Sequence, residues 1–207
     1  MKRVAIVVPR CHPKLVGGAE ALGWQYATLL AGSHAVDVLT TTASDYASWA
    51  NDLPECVEQR EGVTIRRFRV ARERGGYFHD LHRRLLAHFE ASAGAAPQAR
   101  VRWSEALQEE FIRAQGPLCP GLLDHLARHG DDYAAVIFLT YLYPTTYEGV
   151  RALRHRRWAI VPTLHDEPPA YFSAFAQMAR HAPRLLWNTS AERRLGGRLW
   201  DIERGSI

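Results

Sequence analysis

The sequence VAIVVPRCHPKLVGGAEALGWQYATLLA, residues 4–31, decides the fold of this 207-residue chain. It opens with the apolar run Val4-Ala5-Ile6-Val7-Val8, which is rich in β-branched residues and too short for a globular helix. Such a run is typical of a strand buried on both faces, as in a parallel sheet covered by helices. Pro9 ends the strand, because a proline cannot donate a hydrogen bond to a sheet ladder. The chain therefore begins with a buried strand.

A helix follows this strand after a loop that ends in Gly17-Gly18. Four apolar residues recur at helical spacing and predict its buried stripe: Leu22, Tyr26, Leu29 and Leu30. Unpaired amides and the helix dipole make such a helix start favourable for an anion, and glycines let a ligand approach the backbone. A tight turn without a ligand explains the glycines equally well. Neither the dinucleotide motif GxGxxG nor a P-loop is present.

Strands and helices alternate along the rest of the chain. Apolar or alternating runs predict strands at residues 35–40, 56–70 (two short runs), 134–140, 158–164 and 184–188. Apolar residues at helical spacing predict helices at residues 77–89, 103–114, 121–129, 145–154 and 170–181, and a last one after Thr189. The alternation predicts an α/β fold, a doubly wound, Rossmann-like parallel sheet with helices on both faces. We predict one domain over residues 1–207, with a helical insert at about residues 77–130.

Composition and charge narrow the functional classes. The chain is 47% hydrophobic and 23% charged, with no bilayer-length apolar run and no signal-peptide cleavage site, so we expect a cytoplasmic protein. Three scattered cysteines without CxxC spacing agree with a reducing compartment. The net charge of +4 and the arginines from Arg66 to Arg84 mildly favour an anionic partner. Contact with the inner face of an anionic membrane is one such possibility, and we expect no nucleic-acid partner.

Histidines on the predicted helix at residues 77–89 raise the question of a metal. His79 and His82 have the i, i+3 spacing that can hold zinc, and His88 lies on the same helix, but no further ligands are suitably spaced. A solvated helix face explains them better, so we expect no metal site. The chain also lacks the GxSxG elbow of serine hydrolases.

Ligands of doubly wound domains collect beyond the carboxyl ends of the strands. This rule selects eight candidate residues: Arg10, Gly17, Gly18, Glu20, Tyr141, His165, Asp166 and Glu167. His165 and Asp166 form a titratable cluster directly after a strongly apolar strand. The histidine side chain could bind a sugar hydroxyl, or its carbonyl could shield developing positive charge, although a structural histidine bonded to the backbone remains an alternative. Asp166 could instead cap the next helix.

Three short motifs resemble a known family. The strand, loop and helix around Gly17-Gly18-Ala19-Glu20 resemble the start of retaining glycosyltransferases of the group-1 (family 4) type. Thr163-Leu164-His165-Asp166 is similar to the strand of that family that ends in histidine. Asn188-Thr189-Ser190-Ala191-Glu192 is similar to its S-x-x-E/R segment near the domain end. The resemblance covers the whole chain and implies one half of the two-domain GT-B fold.

The resemblance implies a division of roles. Gly17 and Gly18 would lie near the donor diphosphate or the acceptor, His165 and Asp166 would line the reaction centre, and no metal or other cofactor would be needed. The family binds its nucleotide-sugar, which is a substrate, mainly on a second Rossmann domain with an E-x7-E motif, and no such motif follows Glu192. We therefore expect the acceptor-binding half of an enzyme that glycosylates a glycan or lipid-linked acceptor, inactive alone. The alternative is a non-catalytic nucleotide- or sugar-binding Rossmann module.

Overall fold

A computed structural model of the chain describes residues 1–13 and 17–207, which are built around a seven-stranded sheet. The strands are β1 Arg3–Val7, β2 Ala35–Thr41, β3 Val57–Arg60, β4 Val63–Phe68, β5 Ala135–Leu139, β6 Trp158–Val161 and β7 Arg184–Leu185. Their order across the sheet is β3-β4-β2-β1-β5-β6-β7. Every neighbouring pair is parallel except β3 with β4. The apolar strand β1 lies at the centre, as its buried sequence predicts.

Seven α-helices cover the two faces of this sheet in the described part of the chain. They are α1 Gly18–Ala31, α2 Gly76–Ala91, α3 Glu105–Gln115, α4 Pro120–His129, α5 Pro144–Ala152, α6 Ser173–His181 and α7 Ser190–Trp200. Ile6 of β1 belongs to the hydrophobic cluster that α1 covers. Its neighbours Ala5 and Val7 point the other way, into the cluster that contains α2 to α7. The predicted doubly wound α/β fold is confirmed.

The buried face of α1 differs from the predicted stripe. Leu29 is 79% exposed, whereas the fully buried residues of the helix are Gly23 and Ala27. A Cβ atom at Gly23 would lie 3.3 Å from Leu139 of β5, so the small residue lets the helix pack closely against the sheet. The predicted stripe was wrong at Leu29, because periodicity counts apolar residues and does not detect a close approach of the backbone.

Three helices lie between β4 and β5, in the range predicted for the helical insert. Phe78, Leu81 and Leu85 form the buried stripe of α2, as the sequence predicts. Near the other end of the chain, the predicted helix at residues 170–181 begins only at Ser173. A 3₁₀ turn over Pro168–Tyr171 precedes it, because the two prolines at its start cannot supply helix hydrogen bonds. No helix in the described residues is both long and apolar enough to cross a membrane.

Three arginines of the segment from Arg66 to Arg84 make hydrogen bonds or ion pairs with other residues of the fold. Arg66 donates to the buried carboxylate of Asp37 at 2.9 Å. Arg67 is 3% exposed and pairs with Glu58 at 2.9 Å. Arg74 is half-buried and donates to the Gln115 carbonyl oxygen at 2.8 Å. These three arginines therefore do not form a continuous basic surface.

Candidate functional site

A cleft of about 940 Å³ opens at the edge of the sheet where the parallel strands end. Its walls come from the first turns of α1, the loops after β5 and β6, and the start of α7. Five of the eight candidate residues line it: Gly18, Tyr141, His165, Asp166 and Glu167. Arg10, Gly17 and Glu20 are not among its lining residues. Gly18 and His165 thus line one cleft, as expected from the rule that ligands bind beyond the carboxyl ends of the strands.

The two glycines before and within α1 have different surroundings. A Cβ atom at Gly17 would collide with the carboxylate of Glu20, whereas a Cβ atom at Gly18 would meet no atom of the described residues within 4 Å. Gly17 has an extended backbone with φ of −170° and provides no side-chain cap for the helix. Within the described part of the chain, Gly18 therefore faces open space in the cleft, and the N-cap residue Gly17 gives the first amides of α1 no side-chain acceptor.

Arg10 and Glu20 are used to hold the loop that leads into α1. The Arg10 guanidinium contacts the Glu20 carboxylate at 2.6 Å and 2.8 Å, and both side chains are largely buried. Arg10 also donates to the carbonyl oxygen of Ser44 at 3.0 Å. Both charges are thus neutralised within the fold, and the pair positions the loop beside the cleft.

His165 is exposed on the loop after β6. Its imidazole has no hydrogen-bond partner among the described residues, and its carbonyl oxygen accepts from the Glu167 amide at 3.0 Å. Thr163 precedes it with φ of +50°, and Thr140 after β5 has φ of +66°. Left-handed threonines cost roughly 1–3 kcal/mol each, and such strain clusters at functional sites. Both strained residues line the cleft that contains His165.

Asp166 and Glu167 do not form a carboxylate pair. Asp166 accepts from the Tyr171 hydroxyl at 2.7 Å and from Arg198 at 2.8 Å. Glu167 accepts instead from the Tyr141 hydroxyl at 2.8 Å. Burial, together with the charge of Glu167, raises the pKa of Tyr141 well above its usual value, so the phenol remains a donor. Both carboxylates therefore fix loop positions, and α6 has no side-chain cap from Asp166.

Glu192 is a site residue whose role the sequence does not reveal. It is 8% exposed at the start of α7, and its carboxylate accepts from the amides of Leu164 at 2.8 Å and Asn188 at 2.6 Å. The predicted Thr189 cap is present, because the Thr189 hydroxyl accepts from the Glu192 amide at 3.0 Å. Glu192 thereby joins the loop after β6 to the loop after β7, and so supports the segment that carries His165.

Tyr143 is a second lining residue outside the predicted set. Its ring packs edge-on against Trp49 at 5.3 Å, and Trp49 in turn donates from Nε1 to the Gln115 carbonyl oxygen at 2.7 Å. Burial raises the pKa of the Tyr143 phenol, although nearby Arg74 opposes the shift. The Tyr143 hydroxyl has no hydrogen-bond partner in the described part of the chain. Only its position after a parallel strand could have indicated it from sequence.

Two histidines of α2 pack against or hydrogen-bond to other residues of the fold. His82 stacks on Phe78 at 5.5 Å, and His88 accepts from the Arg102 amide at 3.2 Å. Within residues 1–13 and 17–207, no three His, Cys, Asp or Glu side chains gather into a group that could hold a metal ion. His82 and His88 are therefore packing and hydrogen-bonding residues of the fold.

Comparisons with known proteins bear on the fold. No family model matches the sequence, and no curated protein matches it either. The structure is similar to a solved sucrose-phosphate synthase from Thermosynechococcus elongatus, with a TM-score of 0.57 and 13% identity. This match covers 100% of the present chain and 47% of the other, so the chain spans about half the length of that enzyme.

A shorter solved chain of the same enzyme gives a similar result. It matches with a TM-score of 0.51 and 13% identity, over 99% of this chain and 86% of the other. At this identity the likeness establishes the fold alone. The predicted GT-B resemblance is confirmed at that level: the chain has the fold of the N-terminal half of a GT-B glycosyltransferase.

Proposed function

We propose that this chain is the acceptor-binding half of a retaining glycosyltransferase that moves a sugar from a nucleotide-sugar to a glycan or lipid-linked acceptor. The observation that supports this most strongly is that Gly18 and His165 line one cleft at the carboxyl ends of the strands. Ligands of doubly wound domains bind at this edge. In this proposal, the second wall of the cleft belongs to a donor-binding domain outside these residues.

The residues of the cleft suit different parts of the reaction. The uncapped amides at the start of α1 favour a negatively charged group, such as the donor diphosphate near Gly18. His165 is available to bind a sugar hydroxyl at the reaction centre, because its imidazole has no partner among the described residues. Stabilisation of the leaving diphosphate by amides and basic groups requires no divalent cation. Asp166 and Glu167 hold the loop that presents His165.

One observation favours a non-catalytic binding module. Each carboxylate that lines the cleft is engaged with other groups of the fold, since Asp166 binds Arg198, Glu167 binds Tyr141 and Glu192 binds two amides. A glycosyltransferase half has no need of a carboxylate here if the donor domain carries the groups that activate the donor. The module remains the alternative function.

Binding by the 207-residue chain separates the acceptor-half function from a nucleotide-binding module. We would titrate it with a panel of free hexoses and with UDP-glucose, ADP-glucose and GDP-mannose, and follow tryptophan fluorescence. The acceptor-half function predicts that a hexose binds and that the chain alone transfers no sugar. Tight binding of a nucleotide with no response to any hexose would favour the nucleotide-binding module. Sugar transfer by the chain alone would contradict the half-enzyme assignment.

A further inference from the structure

We infer that the cleft takes an uncharged sugar acceptor rather than a phosphorylated one, an inference that rests on the proposed function. The lining residues that the structure describes include neither arginine nor lysine. Their three carboxylates already accept hydrogen bonds from other residues of the chain, Asp166 in a solvent-exposed pair with Arg198. The carboxylates of the cleft are therefore already hydrogen-bonded. The uncharged polar side chains that have no partner are the ones left to bind a ligand, and they determine which ligand fits.

Gln25 of α1 and the buried Thr140 line the cleft without a side-chain hydrogen bond among the described residues. The same holds for four further polar side chains of the cleft: Tyr143, Thr163, His165 and Asn188. They follow three neighbouring strands, since Tyr143 comes after β5, Thr163 and His165 after β6, and Asn188 after β7. A phenol, a hydroxyl, an imidazole and a carboxamide both donate and accept hydrogen bonds. This set matches the hydroxyl groups of a sugar, each of which also donates and accepts.

Neighbouring side chains contact or support several of these groups. Trp49 packs against the ring of Tyr143, and Glu192 holds the backbone amides of Leu164 and Asn188. Leu142 and Leu164 add apolar surface to the same cleft. A mostly apolar cleft with a few fixed polar groups is the usual form of a small-molecule site. Less entropy is lost on binding when the groups of a site are held in place before the ligand arrives.

A phosphorylated sugar would lack a counter-charge among these groups. Phosphate recognition in proteins usually relies on arginine, lysine or a helix start. Arg10 is paired with Glu20, and Arg198 with Asp166. Arg74 lies over the rings of Trp49 and Phe78 and donates to a backbone oxygen. Among the described residues that line the cleft, the remaining anion-favouring feature is the start of α1, which the proposed function assigns to the donor.

Matched pairs of sugars test the inference. We would measure binding of glucose, mannose, galactose and fructose, each against its 6-phosphate, to the 207-residue chain by calorimetry at constant ionic strength. At least one neutral sugar should bind, and its 6-phosphate should bind at least tenfold more weakly. Tyr143→Phe and Asn188→Ala should each weaken the neutral sugar about fivefold, the loss of one hydrogen bond of about 1 kcal/mol. Tyr77→Phe, at an exposed tyrosine on α2, is the control and should change nothing.

The possible outcomes distinguish failure of the uncharged-acceptor inference from failure of the acceptor-half function. If a 6-phosphate binds more tightly than its parent sugar, in a manner that Gly18→Val abolishes, the inference is wrong and the acceptor-half function stands. If a neutral sugar binds but Tyr143→Phe and Asn188→Ala leave its affinity unchanged, the inference is again wrong. If no sugar of either kind binds, both the inference and the acceptor-half function are contradicted.

Discussion

The buried Tyr141 hydroxyl donates a 2.8 Å hydrogen bond to the carboxylate of Glu167. Tyr141 follows β5 and Glu167 follows β6, so this bond joins two loops of the cleft across neighbouring strands. Because Glu167 also donates its amide to the carbonyl oxygen of His165, the bond helps to fix the backbone at His165. The cleft wall is thus held in position by the protein itself.

Tyr141→Phe should reduce the free energy of unfolding by about 1.5–3 kcal/mol, the contribution of a hydrogen bond to a charged group. Urea denaturation of the 207-residue chain measures this value. Tyr143→Phe is the matched control, because that hydroxyl has no partner among the described residues and its loss should leave the stability unchanged. Equal stabilities of the two variants would show that the Tyr141–Glu167 bond contributes nothing.

Substitutions at the two neighbouring glycines should affect the stability to different degrees. Gly17→Ala should lower the stability by about 1–3 kcal/mol, because its Cβ displaces Glu20 from Arg10. Gly18→Ala should leave the stability within about 0.5 kcal/mol, since its Cβ enters open space. In an enzyme that joins this chain to a donor-binding domain, Gly18→Val should lower the rate per folded molecule about a hundredfold. A normal rate with a lowered melting temperature would mean that Gly18 is only part of a turn.

Glu192 should contribute to the stability of the fold. Glu192→Ala leaves the amides of Leu164 and Asn188 without their acceptor and should cost about 2–4 kcal/mol. Glu192→Gln keeps one side-chain oxygen and should cost less. Glu203→Ala, near the end of the chain and exposed, is the control and should have little effect. The account of the cleft is wrong on this point if Glu192→Ala melts at the wild-type temperature.

Stability should fall in mild acid because of His125. Burial, with a smaller effect from the charge of His129, lowers the pKa of His125 to about 4. Its Nε2 lies 2.9 Å from the Tyr133 hydroxyl, which donates to the buried Asp37. An unfolded histidine titrates near pH 6.5, so between about pH 6.5 and 4 the unfolded chain binds more protons and unfolding becomes easier. The histidine thus contributes stability above pH 6.5 that is lost as the pH falls.

Denaturation of wild type and His125→Gln at pH 7.5 and pH 5 measures this contribution. The glutamine can still donate to Tyr133 but does not titrate, so the variant should lose less stability than the wild type between the two pH values. The same loss in both proteins would assign the acid sensitivity to other groups.

The sequence predicts the fold well because a strand that is buried on both faces shows as an apolar run in the sequence. Residues 4–7 of strand β1 are apolar and buried, and this strand lies at the centre of the sheet. The packing of α1 could not be predicted in the same way, since it depends on Gly23 approaching Leu139, a contact between distant residues. Periodicity therefore selected Leu29, which is exposed.

The sequence predicts where the site lies but not which side chains in it are hydrogen-bonded to each other. The rule of strand ends selects Gly18 and His165 without knowledge of any contact. The engagement of Glu20 with Arg10, and of Glu167 with Tyr141, depends on how the loops fold towards each other. Glu192 lies on α7, yet it binds the amide of Leu164, which is 28 residues earlier in the chain. From the sequence alone, Glu192 is interpreted as part of a helix cap, because its hydrogen bond to the Leu164 amide depends on the three-dimensional fold.

The central claim is that the cleft between α1 and the loops after β5 and β6 binds the acceptor sugar. Amide chemical shifts of the isotope-labelled 207-residue chain, recorded during titration with the tightest-binding neutral hexose, test it most directly. The account predicts shift changes at Gly18, Tyr143, His165 and Asn188, and none at the distant Gly62 and Gly94. Shift changes confined to residues outside the cleft, or no changes at sugar concentrations up to saturation, would contradict it.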